Sequence, residues 1–203
     1  GTKYSMMPLK GKLIIVAGPS GAGKGTVENA VMEKFPEIQF SVSVTTRPRR
    51  AYEIEGKHYF FISKAEFLKR IEQNELVEWQ EVYSKNGHLY GTLRSYIDEA
   101  LAKGKQLLLD IDIKGGINVK KAYPDNSVSI FIEPPSLEIM RERLIHRNTD
   151  SADQIRIRLE RMPEEMRLGK QFDYTIVNAD LDEAVEAFTE ILNKDEIHQL
   201  KEQ

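Results

Sequence analysis

Hydrophobic positions along the chain fall into short blocks with two different periods. Gly1–Lys10 is polar and unpatterned and reads as a disordered leader. From Lys12 the run Leu13-Ile14-Ile15-Val16-Ala17 is apolar until Gly18-Pro19 breaks it, the mark of a strand covered on both faces in a parallel sheet. After a glycine-rich loop, Val27, Ala30 and Val31 recur at helical spacing until Pro36, so the first unit is strand, loop, helix. The alternation returns with a strand over Gln106–Ile111, a helix over Ile113–Ala122 and a strand over Ser127–Ile132 stopped by Pro134-Pro135. A helix over Ser136–His146 follows, with Ser136 as N-cap and Glu138 in the first turn. Tyr174–Val177 reads as a last strand and Asp182–Leu192 as an amphipathic closing helix. This order predicts an α/β fold around a parallel sheet.

Two stretches break the rhythm. Residues 38–92 carry short alternating segments (Phe40–Val44, His58–Ile62, Leu76–Tyr83, His88–Gly91) and one helix, Lys64–Gln73, with Asn86-Gly87 as a hairpin signal. They predict a small mixed α+β sheet inserted into the parallel core. Residues 141–167 are charged and hold Arg141, Arg143, Arg147, Arg156, Arg158, Arg161 and Arg167, which reads as a helical, mobile flap.

Composition then narrows the class. The 203 residues include no cysteine, which excludes disulfides, Cys-ligated zinc, iron–sulfur clusters and thiol nucleophiles. No apolar run approaches the roughly 20 residues that span a bilayer, so the chain reads as soluble and cytoplasmic. A net charge of −3 argues against generic nucleic-acid or membrane binding, which calls for a basic excess. A chain of this length buries about 70% of its unfolded surface, enough for one full core with small insertions.

Three constellations carry chemistry. Gly18-Pro19-Ser20-Gly21-Ala22-Gly23-Lys24-Gly25-Thr26 stands between a strand and a helix, the context that makes a Walker A match meaningful. Its glycines let backbone N–H groups turn inward around an anion, the helix N-terminus adds partial positive charge, and Lys24 reaches β- and γ-phosphates. The residue after Lys24 is Gly25, with the hydroxyl postponed to Thr26, so no direct magnesium ligand is assigned; Thr26 and Asp110 are candidates through water. Second, Ser41-Val42-Ser43-Val44-Thr45-Thr46-Arg47-Pro48-Arg49-Arg50 places hydroxyls on a strand ahead of guanidiniums, and Arg47 and Arg50 suit bidentate capture of a second phosphate. Alone, such a basic cluster reads as a solvated face; after a phosphate loop in an acidic chain it reads as an acceptor site.

Third, Glu78 precedes the single Trp79 at the end of a strand, and Asp110 and Asp112 follow Leu107-Leu108-Leu109 and point to one side by the period of two. Asp110 has the place of a Walker B carboxylate at the sheet edge where open α/β sheets bind ligands. Guanine offers N1–H and an exocyclic amino group as donors and O6 as acceptor, a demand met by Glu78, Asp112 and Ser43. By spacing alone, Glu78 and Asp112 would read as surface ion-pairing residues.

Together with Gly56-x-x-Tyr59-Phe60-Phe61, Leu76-Val77-Glu78-Trp79, Tyr90-Gly91-Thr92, Leu109-Asp110-Ile111-Asp112, Pro134-Pro135-Ser136 and Ile176-Val177-Asn178, these motifs resemble the guanylate kinases in content and order from about Lys12 to the final helix. The resemblance implies a P-loop NTPase three-layer core (11–42, 93–136 and 170–203), an inserted GMP-binding domain (43–92) and a helical lid (137–169). It implies that Ser43, Glu78 and Asp112 read guanine and that Arg47, Arg50, Tyr59, Tyr90 and Thr92 hold GMP, with Asp110 beside them. The family's lid arginines match Arg147 and Arg158, with Arg143 on the ATP side and Asn178 where the family lines the adenine site. Arg49, Tyr52, Lys114 and Asn148 depart from the family pattern; Asn148 replaces a glycine, and Asn tolerates left-handed backbone nearly as well.

The implied reaction is transfer of the γ-phosphate of ATP, with Mg2+, to GMP and dGMP. It needs alignment and charge neutralisation from Lys24, Arg47, Arg50, Arg147 and Arg158, and no general base. His58, His88, His146 and His198 are therefore read as surface or packing residues. A kinase for AMP is disfavoured by Ser43, Glu78 and Asp112; a phosphopeptide-binding scaffold by the retained Lys24, Arg147 and Arg158; nucleic-acid binding by the acids interleaved with the arginines.

Overall fold

A computed structural model describes residues 11–82 and 87–194. The leader Gly1–Lys10, Tyr83, Asn86 of the hairpin signal, His198 and residues 195–203 lie outside them. The core is a five-stranded, wholly parallel sheet built from β1 (Lys12–Ala17), β2 (Ile38–Phe40), β7 (Gln106–Asp110), β8 (Ser127–Glu133) and β9 (Tyr174–Val177), in the order β2-β7-β1-β8-β9.

The pleat sorts the apolar runs onto two faces. Ile14 and Val16 of β1, Leu108 of β7 and Ile130 of β8 face α1 (Lys24–Lys34) and α7 (Leu181–Lys194), where Val27, Val31, Phe188 and Leu192 cover them. Leu13, Ile15, Leu107, Leu109 and Phe131 face the other way, onto α3 (Arg94–Ala102) and α4 (Ile113–Ala122) through Ile97, Leu101 and Val119. Each such side chain contributes about 1.5–3 kcal/mol on burial, which is why uninterrupted apolar runs, rather than alternating ones, make the central strands.

A second sheet holds β3 (Ser43–Thr45), β4 (Tyr59–Phe61), β5 (Leu76–Val82) and β6 (His88–Leu93) in the order β4-β3-β6-β5. Here β3 is parallel to β4 while β6 is antiparallel to both β3 and β5. It packs on α2 (Lys64–Glu72) through Phe67, Val44, Leu76 and Leu89. The arginine-rich stretch forms α5 (Leu137–Arg147) and α6 (Ala152–Gly169), joined over a small cluster of Met140, Leu144 and Met162. Ser136 caps α5, and Ser151 with Gln154 forms a capping box on α6. Asn148 ends α5 in the left-handed region at φ 51°.

Four expectations change. Phe40–Val44 is not one strand: Phe40 pairs with Leu108 in the core, the Ser41 N–H donates to Leu108 O, and the chain then crosses to the second sheet, where Val44 pairs with Gly91. Helix α3 was not anticipated, because Leu93 at its N-cap offers no side-chain cap and its buried face is only Ile97, Ala100 and Leu101. Glu78 lies inside β5 rather than at its end. Asp112 is not on a strand with Asp110: β7 stops at Asp110, and Asp112 is the N-cap of α4, its carboxylate accepting from the Gly115 N–H at 3.3 Å.

Candidate active site

Two cavities open at the carboxyl ends of the core strands and share Gly18, Ser20 and Lys24 in their walls. The first, about 640 Å³, is walled by the loop from Gly18 to Lys24, by Thr26, by Arg143, Arg147 and Arg158, and by Asn178 with Ala179 and Leu181. Gly23 makes the loop possible. It stands at φ 76° as the residue before α1, and a Cβ there would lie 2.5 Å from Asn178 Nδ2.

Arg143 and Asn178 brace this loop from behind. Arg143 donates from Nη2 to Asn178 O at 2.8 Å and from Nη1 to Ala22 O at 3.3 Å, and Asn178 Nδ2 donates to Ala22 O at 2.8 Å. These donors hold the Ala22 carbonyl, while the Ala22 N–H donates within the loop to Pro19 O at 3.2 Å, so the turn is fixed from both of its polar groups. Asn178 thus lines the cavity with its side-chain donor already committed. Arg158 lies 3.6 Å from Asp150, while Arg147 forms no ion pair among the described residues.

At the seam, Lys24 Nζ is ion-paired with Asp110 Oδ1. Beneath them lies Glu28, one turn along α1, only 1% exposed and with neither carboxyl oxygen receiving an N–H or O–H from the described residues. Burial first, then the hydrogen bond to and charge of Asp110, hold the Glu28 carboxyl far above the ordinary carboxylate range, with Lys24 opposing in part. Burial also raises Asp110, but its hydrogen bond to Glu28 and the charge of Lys24 outweigh that and hold it low. Two carboxylates at one place share one proton, which rests on Glu28. Sequence reading missed Glu28; its place four residues after Lys24, on the same helix face, was the available signal.

The second cavity, about 510 Å³, is floored by the second sheet. Register explains its lining. Glu78 is opposite Thr92 and Gln80 opposite Tyr90 on β5 and β6, and Ser43 is opposite Tyr59 on β3 and β4, so alternate side chains share one face. Asp110, Asp112 and Arg161 complete the wall. Gln80, Val82 and Arg161 were not singled out from sequence, although Gln80 and Val82 continue the period-two pattern from Glu78. Glu78 and Asp112 converge: a Cβ on Gly115 would stand 2.5 Å from Asp112 Oδ1 and 2.9 Å from Glu78 Oε2. Burial, then the neighbouring charge of Asp112, pushes Glu78 up to about 7, and burial raises Asp112 against the α4 N-terminal N–H groups that favour its charge.

Arg47 and Arg50 are not among the residues that line this cavity, though Arg47 lies against the ring of Tyr59, which is. Arg47 is held by Glu53 in a bidentate pair, Nη1 to Oε1 and Nη2 to Oε2, both 2.8 Å, with its guanidinium 5.4 Å from the Tyr59 ring centre. The Arg50 N–H donates to Glu53 Oε1 at 2.9 Å, and its guanidinium reaches the Tyr52 hydroxyl at 3.2 Å. The hydrogen bond from Arg47 lowers Glu53 to about 2. Glu53, which the sequence reading did not name, therefore organises the loop that carries Arg47 and Arg50. Arg49 donates to Glu53 O at 2.7 Å, turning one departure from the family pattern into a brace for the same loop.

Among the described residues no three His, Asp or Glu side chains are placed to hold a metal ion together. Thr26 on the first cavity and Asp110 on the second are among the oxygen donors of the two linings, and so sparse a pair fits an ion keeping most of its ligands from phosphate and water, as Mg2+ does. Among the described residues no helix is long and apolar enough to cross a membrane.

Known proteins are similar to this chain over most of its length. The family model described as guanylate kinase matches residues 10–195. The guanylate kinase of Thermotoga maritima is 44% identical over 187 residues, 92% of this chain and 88% of that protein. That of Symbiobacterium thermophilum is 49% identical over 176 residues, 87% of this chain and 82% of the relative. A crystal structure of guanylate kinase from Anaplasma phagocytophilum superposes with a TM-score of 0.69 at 33% identity, covering 94% of this chain and 88% of that one. A family match over nearly the whole chain and relatives above 40% identity across most of both sequences show that the chain belongs to the guanylate kinase family.

Proposed function

We propose that the protein transfers the γ-phosphate of ATP to GMP, and to dGMP, giving ADP and GDP or dGDP in the cytoplasm. The observation that carries this reading is the sharing of Lys24 between a phosphate-loop cavity and a cavity whose carboxylates, half-buried Glu78 and Asp112 at its mouth, converge on one spot. In this reading 11–42, 93–136 and 170–203 form the ATP-binding core, 43–92 the GMP-binding domain and 137–169 the lid.

ATP lies with its phosphates on the N–H groups of the loop from Gly18 to Thr26, with Arg143 and Asn178 holding that loop in shape. GMP lies across the second sheet. Glu78 and Asp112 take the guanine N1–H and amino donors and Ser43 serves O6, while Tyr59, Tyr90 and Thr92, backed by Arg47 and Arg50, hold its phosphate. Adenine in that place would turn ring acceptors toward two carboxyls and leave them unpaired, which is costly in a buried site. Lys24 exchanges Asp110 for the transferring phosphoryl group, and Arg147 and Arg158 neutralise the charge that spreads over its equatorial oxygens. The GMP phosphate oxygen attacks in line without a base, since a phosphate is already anionic near neutral pH. Mg2+, when bound with ATP near Thr26 and Asp110, supplies further neutralisation of phosphate charge.

The test separates base reading from catalysis. Asp112→Asn keeps an N-cap for α4 and loses the charge, and Glu78→Gln is nearly isosteric. Each should raise KM for GMP about tenfold or more and leave KM for ATP within about twofold. Equal losses for both nucleotides would contradict the assignment.

A further inference from the structure

On α6 the arginines follow two rules. Arg156 pairs with Glu160 at 3.0 Å, Arg158 approaches Asp150 at 3.6 Å and Arg167 pairs with Glu164 at 2.5 Å. Arg161, exposed and on the same helix, forms no hydrogen bond or ion pair with the described residues, yet it lines the second cavity. Its neighbours on the helix do not claim it. Glu160 and Glu164 are taken by Arg156 and Arg167, and Glu165, one turn on, feels only its longer-range charge. Arg158 lines the first cavity and Arg161 the second, so residues three apart on one helix face present one guanidinium to each.

The charge balance of the second cavity gives that guanidinium a task. Its titratable lining includes three carboxyl groups, Glu78, Asp110 and Asp112, against two cations, Lys24 and Arg161. Lys24 is ion-paired with Asp110, and Arg47, which is not in the lining, with Glu53. A phosphomonoester dianion entering among these groups meets one uncommitted cation from the lining. We propose that Arg161 binds the phosphate of the acceptor nucleotide, making α6 a two-sided clamp with Arg158 on the donor and Arg161 on the acceptor. This rests on the assignment of the second cavity to a nucleoside monophosphate.

Steady-state kinetics of Arg161→Gln test it, with guanosine as a competitor that has the base and lacks the phosphate. The expected result is a rise in KM for GMP of about tenfold, as for loss of one charge-assisted contact, with KM for ATP and inhibition by guanosine unchanged. Arg161→Lys, which keeps the charge without the planar fork, should fall between wild type and Arg161→Gln. An unchanged KM for GMP in Arg161→Gln would overturn the inference, as would parallel rises for ATP and GMP or an equal weakening of guanosine. Failure of the underlying assignment shows separately, as a wild-type protein that does not phosphorylate GMP.

Discussion

Glu28 and Lys24 are one helical turn apart, and the turn places a buried acid under the lysine that the phosphate chemistry needs. Because Glu28 binds its proton much more tightly folded than unfolded, the folded state carries the extra proton at every pH from the ordinary carboxylate value upward to its raised one. Stability contributed by that proton is complete at low pH and falls as pH rises through this window. Asp110 works in the opposite sense below the ordinary carboxylate range, because its own value is lowered. Glu28→Gln removes the penalty at no cost in shape. Its Tm should exceed that of wild type at about pH 8 and approach it at about pH 5, by thermal unfolding followed by circular dichroism; a difference independent of pH would refute the shared proton. Among single residues, Lys24 was legible from the spacing of its loop, whereas Glu78 and Asp112 were singled out by the guanine chemistry and the family resemblance, spacing alone giving only surface ion pairs. Glu28, Glu53 and Arg161 were not, since their roles depend on which carboxylate or guanidinium another segment brings alongside.

At the scale of the element, the long apolar runs were the readable ones. Strands β1 and β7 announce themselves because burial on both faces leaves no polar interruption between their ends, and β8 comes close, with Ser129 its one polar interior position. The break between β2 and β3 was hidden, because hydroxyls at Ser41 and Ser43 alternate as a single strand would while the backbone changes sheets at Ser41-Val42. In α1, Gly25 carries a further consequence. A Cβ there would meet nothing within 4 Å, so no close approach demands glycine at this helical position. Gly25→Ala should stabilise the protein by about 0.5–1 kcal/mol through the unfolded chain's lost freedom, measured by denaturant unfolding; destabilisation would mean that the backbone there needs a freedom the helix does not show.

At the scale of the whole molecule, the order β2-β7-β1-β8-β9 could not be read from the chain, because strand order is set by which crossovers pack and not by any local pattern. That order puts the loop after β1 beside the end of β7, and so Lys24 beside Asp110. The second sheet brings Glu78 to Asp112, and the α5–α6 hairpin brings arginines over both cavities. A net charge of −3 is compatible with binding two phosphorylated ligands because the cations are gathered at this junction while acids cover the helices. The central claim is transfer from ATP to a guanine nucleotide, and it is tested most directly by ADP release from ATP and Mg2+ with GMP, dGMP, AMP, UMP and CMP offered in turn. Rapid release with GMP and dGMP and little with the others is the predicted result; turnover with AMP in preference to GMP would contradict it.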